Sequence, residues 1–185
     1  MPRIIAGEWR RRQLHAPAGE ATRPSADRTR ETLFSMLASR LGSFEGLSVA
    51  DLFAGSGTLG LEALSRGAAR CIFVEQDPAA IRALRANIAA LRAQDRCDVR
   101  AASVLHLGPV AAPLDLILLD PPYRTGAGAV ALDRLNRLGW IGPATQIVLE
   151  TAWNEDVKLR ALAIEEQRRV GSARLNFLRA ADPAD

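Results

Sequence analysis

Short apolar runs alternate with helical segments between residues 47 and 150, and this alternation narrows the fold more than anything else in the chain. The runs are 47–53, 71–75, a weaker 98–101, 114–120 and 146–150. Helical patterns follow the first through about residue 66, the second over 78–91 and the fourth over 127–138. The run 114–120 is almost purely apolar, as in a strand covered on both faces. Strands that alternate with helices predict a parallel sheet with helices on both sides. The end of the chain departs from that rhythm. Residues 162–170 and 173–179 are β-like runs joined across Gly171-Ser172, which predicts an antiparallel hairpin. The expected fold is α/β, a mostly parallel seven-stranded sheet ending in an antiparallel hairpin.

The first forty residues read differently. Residues 3–6 and 8–14 read as two short strands turning at Gly7, a small hairpin carrying Arg10, Arg11 and Arg12. An isolated hairpin is marginal in water, so it should dock on the body or order on a partner. Residues 16–24 read as a loop, and a helix follows over about 25–41 with Ser25 as N-cap and Gly42 as its end. The organisation expected is an arm over 1–22 and a main domain over 23–185. Charge separates the two. Residues 1–40 hold eight Arg and four acids, a net +4, whereas the remaining 145 sum to −1. That clustering points to a polyanionic partner. No stretch approaches the roughly 18 apolar residues that would span a bilayer, and the start has no signal-peptide pattern. Cys71 and Cys97 lack metal-ligand spacing and read as reduced thiols in a cytoplasmic protein.

Two motifs carry chemistry. The first is Asp51-Leu52-Phe53-Ala54-Gly55-Ser56-Gly57-Thr58-Leu59-Gly60, which leaves a strand and opens a helix. Its glycines permit a tight turn and close approach to a ligand. Glu75 ends the next strand 20 residues after Gly55, where an acid meets ribose hydroxyls, and Gln76 lies beside it. A dinucleotide and S-adenosylmethionine (SAM) compete for this loop. An acid at Asp51 sits awkwardly beside a pyrophosphate and suits a ligand without phosphates and with a cationic amino-acid moiety, which favours SAM.

The second motif, Asp120-Pro121-Pro122-Tyr123, ends the fourth strand. In an open α/β sheet the carboxyl ends of the strands face the ligand, so this motif is brought towards the Gly loop. The exocyclic amine of a nucleobase is a weak nucleophile, because its lone pair is delocalised into the ring. Asp120 can accept one N–H. The prolines remove competing donors and fix the backbone, so a main-chain carbonyl can accept the other. Tyr123 offers a face on which a base can stack. No metal is called for.

The pairing of Asp51–Gly60 with Asp120–Tyr123 resembles the N-methyltransferases of nucleic-acid bases. More narrowly, Arg3-Ile4-Ile5-Ala6-Gly7-Glu8-Trp9-Arg10, Arg23-Pro24-Ser25-Ala26-Asp27-Arg28-Thr29-Arg30-Glu31-Thr32-Leu33-Phe34, Gly60-Leu61-Glu62-Ala63-Leu64-Ser65-Arg66-Gly67 and Gly139-Trp140 resemble the RsmD-type bacterial 16S rRNA guanine-N2 methyltransferases. The resemblance implies a Rossmann-like SAM-dependent methyltransferase with a small N-terminal β-hairpin element. It also implies methylation of one guanine N2 in 16S rRNA, within a small ribosomal subunit or an assembly intermediate. The protein is expected to act as a monomer, with neither metal nor membrane. Residue by residue, Asp120, Pro121, Pro122 and Tyr123 match the catalytic motif. Asp51, Phe53, Ala54, Gly55, Ser56, Gly57, Glu75 and Gln76 match the cofactor site. Base-amine methyltransferases often carry an acid or amide after the third strand, where this chain has Ser103-Val104. Both are kept as cofactor candidates.

Arg10, Arg11, Arg12, Arg23 and Arg28 are the candidate RNA contacts, and a solvated charged face fits the triplet equally. Arg23, Asp27, Arg28 and Arg30 fit either RNA contacts or an ion-pair network. Rival activities are DNA adenine-N6 methylation, for which about 40 residues of recognition element is small, and protein glutamine methylation, which the Asp at 120 counts against. A rival of another kind is a SAM- or RNA-binding assembly factor without catalysis.

Overall fold

The computed structural model describes residues 1–18 and 24–182. Strands β1 (Ser48–Leu52), β2 (Arg70–Glu75), β3 (Cys97–Ala101), β4 (Leu116–Leu119) and β5 (Gln146–Ala152) are parallel. β6 (Leu162–Val170) and β7 (Ala173–Ala180) add an antiparallel hairpin, and the order is β3-β2-β1-β4-β5-β7-β6. Helices α1 (Pro24–Leu41), α2 (Thr58–Ser65), α3 (Pro78–Ala90) and α4 (Ala127–Arg137) complete the frame. The chain order reverses between β1 and β4, so the crevice beyond their carboxyl ends is the switch point of the sheet.

β4 shows why the sheet is buried on both sides. Leu116 and Leu118 join one apolar layer with Phe34, Leu61 and Phe73; Ile117 and Leu119 join the other with Leu132, Trp140 and Leu149. Successive side chains of a strand point to opposite faces, so this alternation is a strand packed from both sides. Asp77 caps α3 through Ala80 N at 2.9 Å, with Pro78 in the first turn. Cys71 and Cys97 are register partners on β2 and β3 and are both free thiols. Burial pushes both up, Cys97 to about 12, so neither is a nucleophile near neutrality. Among the described residues no helix is long and apolar enough to cross a membrane.

Two local expectations are corrected. α1 begins at Pro24, so Ser25 lies inside its first turn, where its carbonyl accepts from Thr29 Oγ1 at 2.9 Å instead of its side chain capping the helix. The N-terminal segment does not form two strands over 3–6 and 8–14. A single antiparallel bridge joins Arg3 to Gln13, with turns between. The reason is where the backbone donors go. Glu62 on α2 takes the N–H groups of Ile5 and Ala6, and Ser65 takes those of Glu8 and Trp9. These donors bond to α2 in place of a strand partner. Ile4, Trp9 and Leu14 are buried in the main apolar layer, so the segment docks on the body.

Gly7 is the closest approach in that docking. Its φ is +86°, and a Cβ there would lie 1.9 Å from Ser65 O. Gly7→Ala is therefore expected to lift the segment off α2 and cost at least about 2 kcal/mol, from overpacking and left-handed strain together. A lowered urea midpoint with faster proteolysis within residues 1–18 would show it; an unchanged midpoint would contradict it.

Candidate active site

The loop after β1 is held from three sides. Ala54 N donates to Val74 O at 3.0 Å, and Gly57 N to Ala54 O at 2.9 Å. Phe53 adopts φ +59°, a left-handed conformation that a non-glycine residue rarely takes. Gly57, at φ +88°, has no room for a side chain, because a Cβ would meet Leu84 Cδ1 at 2.4 Å. Glu75 closes the loop from β2. Its Oε1 accepts from Gly55 N at 2.8 Å, while Oε2 accepts from Gln76 N at 2.8 Å and Asp77 N at 2.9 Å. Gly55 itself borders open space, since a Cβ there would meet no atom within 4 Å. A ligand can therefore lie against the backbone at Gly55 with the Glu75 carboxylate beside it.

Asp51 takes a different part from the one its position suggests. Its carboxyl is 1% exposed, and Oδ2 accepts from Gly60 N at 2.8 Å. Burial pushes it up to about 8, against the pull of the Gly60 N–H, with the Glu75 charge adding to the rise. An acid sealed in this way does not face the crevice, so the expectation of a negative group facing a cationic ligand is corrected: Asp51 clasps the loop onto α2. Because the folded protein holds this proton far above the ordinary 3.8, stability should fall as pH rises from about 4 to about 8 and level off above. Asp51→Asn keeps an acceptor for Gly60 N and should flatten that slope in denaturation at a series of pH values. A slope equal to wild type would contradict the assignment.

Ser56 is 8% exposed, and its carbonyl accepts from Asn87 Nδ2 at 2.9 Å. The same buried amide brackets His15, accepting from its N at 2.6 Å and donating to its O at 3.0 Å. One side chain on α3 thus ties the N-terminal segment to the Gly loop. Ser103 Oγ accepts from Leu105 N at 3.2 Å, capping a short turn in which Val104 is buried. Both lie beyond β3, whose Ala101 is the register partner of Glu75.

Asp120 leaves β4 with its N–H directed at Leu52 O, 3.5 Å away, which brings the second motif beside the first. Pro121 is buried, whereas Asp120, Pro122 and Tyr123 are exposed, Tyr123 at 38%. The Tyr123 hydroxyl donates to Glu150 Oε1 at 2.5 Å. Burial and this bond push the phenol well above its usual range, so it stays a donor. Burial also raises Glu150, which is hydrogen-bonded to Asp120 as well. Arg124 follows at φ +58° and donates to Asn154 Oδ1 at 2.5 Å. Two bonds therefore tie 123–124 to 150–154.

The carboxyl ends of β1 to β5 thus gather Phe53 to Gly57, Glu75, Gln76, Ser103, Val104 and Asp120 to Tyr123 on one edge. Glu150 joins them and was absent from the expected set. Its signal was its place as an acid ending the apolar run of β5, as Asp120 ends that of β4. The arginines stand apart. Arg10, Arg11 and Arg28 are exposed, on the N-terminal segment and on α1. Arg12 donates to Ala90 O at 2.8 Å, at the end of α3. Arg30 is buried on Asp27 and Arg3 O, an ion pair and backbone tie within the protein. Arg23 lies outside the described residues.

A sheet of this order with a Gly loop after β1, an acid closing β2 and Asp-Pro-Pro-Tyr after β4 defines a Rossmann-like methyltransferase. The family model described as "Conserved hypothetical protein 95" matches residues 2–179. Over 149 residues the chain is 39% identical to ribosomal RNA small subunit methyltransferase D of Escherichia coli K12, covering 80% of this chain and 74% of that protein. The Haemophilus influenzae protein of the same name is 37% identical over 157 residues, covering 80% and 78%. The solved structure of yhhF from Escherichia coli superposes with a TM-score of 0.83 at 32% identity, over 98% of this chain and 99% of that one. Magnesium protoporphyrin IX methyltransferase from Synechocystis, solved with bound SAM, shares the fold at a TM-score of 0.64 and 13% identity, over 88% and 87% of the two chains. The chain belongs to the conserved hypothetical protein 95 family, the family of ribosomal RNA small subunit methyltransferase D.

Proposed function

We propose that this protein transfers a methyl group from SAM to the exocyclic N2 of one guanine in 16S rRNA, presented in a small-subunit particle, and that it acts as a monomer. The observation that carries the reading is the Asp120 N to Leu52 O contact at the switch point. It sets an exposed carboxylate and two donor-free prolines beside a Gly loop that opens on free space.

That loop fits SAM. Backbone against open space at Gly55 and a carboxylate at Glu75 with its lone pairs turned to the loop suit a nucleoside without phosphates. Phe53, Ala54, Gly55, Ser56, Gly57, Glu75, Gln76, Ser103 and Val104 would hold it, with Asp51 keeping the loop in shape. When bound, SAM supplies an electrophilic methyl group on a sulfonium centre. The protein's part is to present the nitrogen. Asp120 accepts one N–H of the amine, and a backbone carbonyl of the Pro-Pro step accepts the other. Two acceptors favour a pyramidal nitrogen with its lone pair free. Asp120 takes the proton that the nitrogen sheds on methylation and passes it to solvent, to which it is open. Tyr123, its hydroxyl fixed on Glu150, stacks the base, which must leave its helix to arrive there.

Residues 1–22 form an RNA-engaging arm on a catalytic domain spanning 23–185. Arg10, Arg11 and Arg28 present charge to phosphates, whereas Arg12 is partly spent on α3. The test is to offer labelled SAM with small-subunit particles from cells lacking this gene, with duplex DNA, and with ribosomal proteins alone. Label in the rRNA of the particles is expected. Label confined to DNA or protein would overturn the reading.

A further inference from the structure

The rim of the site carries one aromatic ring that nothing above uses. The chain has three tryptophans. Trp9 and Trp140 are buried at 7% and 0% exposure, whereas Trp153 is 42% exposed. A lone exposed apolar side chain is ordinary. Its surroundings are what distinguish Trp153.

Trp153 is the first residue beyond β5, on the edge where Asp120 leaves β4. Its backbone is fixed on both sides: Trp153 N donates to Ser172 O at 2.9 Å, and Arg174 Nη1 donates to Trp153 O at 3.2 Å. The exposed ring therefore sits on a braced backbone. The Arg169 guanidinium lies over it, 4.0 Å from the ring centroid, and itself donates to Gly171 O. The next residue, Asn154, holds Arg124, which follows Tyr123. Arg124, Arg168 and Arg169 are all exposed.

We infer that Trp153, with Arg169 stacked on its ring and Arg124 bound to the adjoining Asn154, is a shelf for an unpaired RNA base flanking the one held at Tyr123. The inference rests on the proposed RNA methylation. A flat aromatic ring stacked with a guanidinium matches a nucleobase, whose face can extend the stack whatever its sequence. The arginines match the phosphates on either side. A protein segment docking here would need a wider apolar patch than one ring among Asn154, Arg124 and Arg169. A base flipped from its helix leaves its neighbour unstacked, and Trp153 restores a stacking partner to it.

The test uses the full chain with Trp153→Leu and Trp153→Phe. Because Trp153 is the exposed tryptophan, a short single-stranded RNA should quench the protein's emission, and the quench should vanish in Trp153→Leu. In methyl transfer to small-subunit particles, Trp153→Leu should raise KM about tenfold, the scale of one lost base stack, with kcat and the SAM Kd unchanged. Trp153→Phe should recover most of the loss, which a merely structural role would not give. Normal kinetics and no quench in wild type would overturn the shelf and leave the methylation reading standing. A KM penalty on particles without any quench by RNA would overturn it too, because the ring would then be meeting protein. A changed SAM Kd or a lowered Tm in Trp153→Leu, unrescued by Phe, would mark a structural residue. Absence of transfer by wild type would count against the proposed function, and quenching by RNA alone would still decide the shelf.

Discussion

Asp120→Ala is expected to cut methyl transfer by about a thousandfold or more, with the SAM Kd unchanged within about twofold. Asp120 is exposed at the mouth of the crevice, so its loss leaves no buried cavity and folding should be untouched. What disappears is the acceptor for the amine N–H and the group that carries off the proton. Glu150 cannot replace it, because Glu150 is raised by burial and already engaged by the Tyr123 hydroxyl. Asp120→Asn retains the shape and one acceptor but not the charge, so it should fall between wild type and alanine. Single-turnover transfer to small-subunit particles, with calorimetry for SAM, separates chemistry from binding. Activity above about a tenth of wild type in Asp120→Ala would remove the carboxylate from the mechanism.

Glu62→Ala should have the largest effect on stability. Glu62 is 0% exposed, and its carboxylate accepts from Ile5 N at 2.8 Å, Ala6 N at 3.1 Å and Arg66 Nε at 2.9 Å. Alanine strands two part-buried backbone donors and a largely buried guanidinium. Breaking one half of a buried pair costs about 3–5 kcal/mol, which in a chain of this size lowers Tm on the order of 10 °C. The N-terminal segment should become protease-sensitive before the rest of the chain, since its main anchor is gone. A Tm within about 2 °C of wild type, with residues 1–18 still protected, would contradict that role for Glu62. Ser56 and His15 share Asn87, so a freed segment should also loosen the Gly loop and weaken SAM.

The legible parts of this chain are those decided by local pattern. β4 announced itself because a strand covered on both faces must be apolar at every position. α3 announced itself through its helical pattern over 78–91, which Asp77 starts with a side-chain cap and Pro78 with a pre-set φ. The Gly loop and Asp-Pro-Pro-Tyr could be placed on one edge because parallel strands send all their carboxyl ends the same way. What stayed hidden depends on partners distant in sequence. The N-terminal strands failed because Glu62, some 56 residues away, accepts the Ala6 donor, as it does that of Ile5 next door. Asp51 read as a charged ligand contact because sequence does not report depth, and depth turned it into a buried clasp. Glu150 passed as the end of a strand. It becomes part of the site only because the register of β4 with β5, Leu119 against Leu149, sets it abreast of Asp120.

The central claim is the identity of the methylated atom. Labelled small-subunit rRNA, made with wild type beside Asp120→Ala, should be digested to nucleosides and resolved by mass spectrometry. The expected result is N2-methylguanosine, present with wild type and absent with the variant. Label in N6-methyladenosine or in a ring-methylated guanosine would contradict the account, and so would N2-methylguanosine that persists in Asp120→Ala.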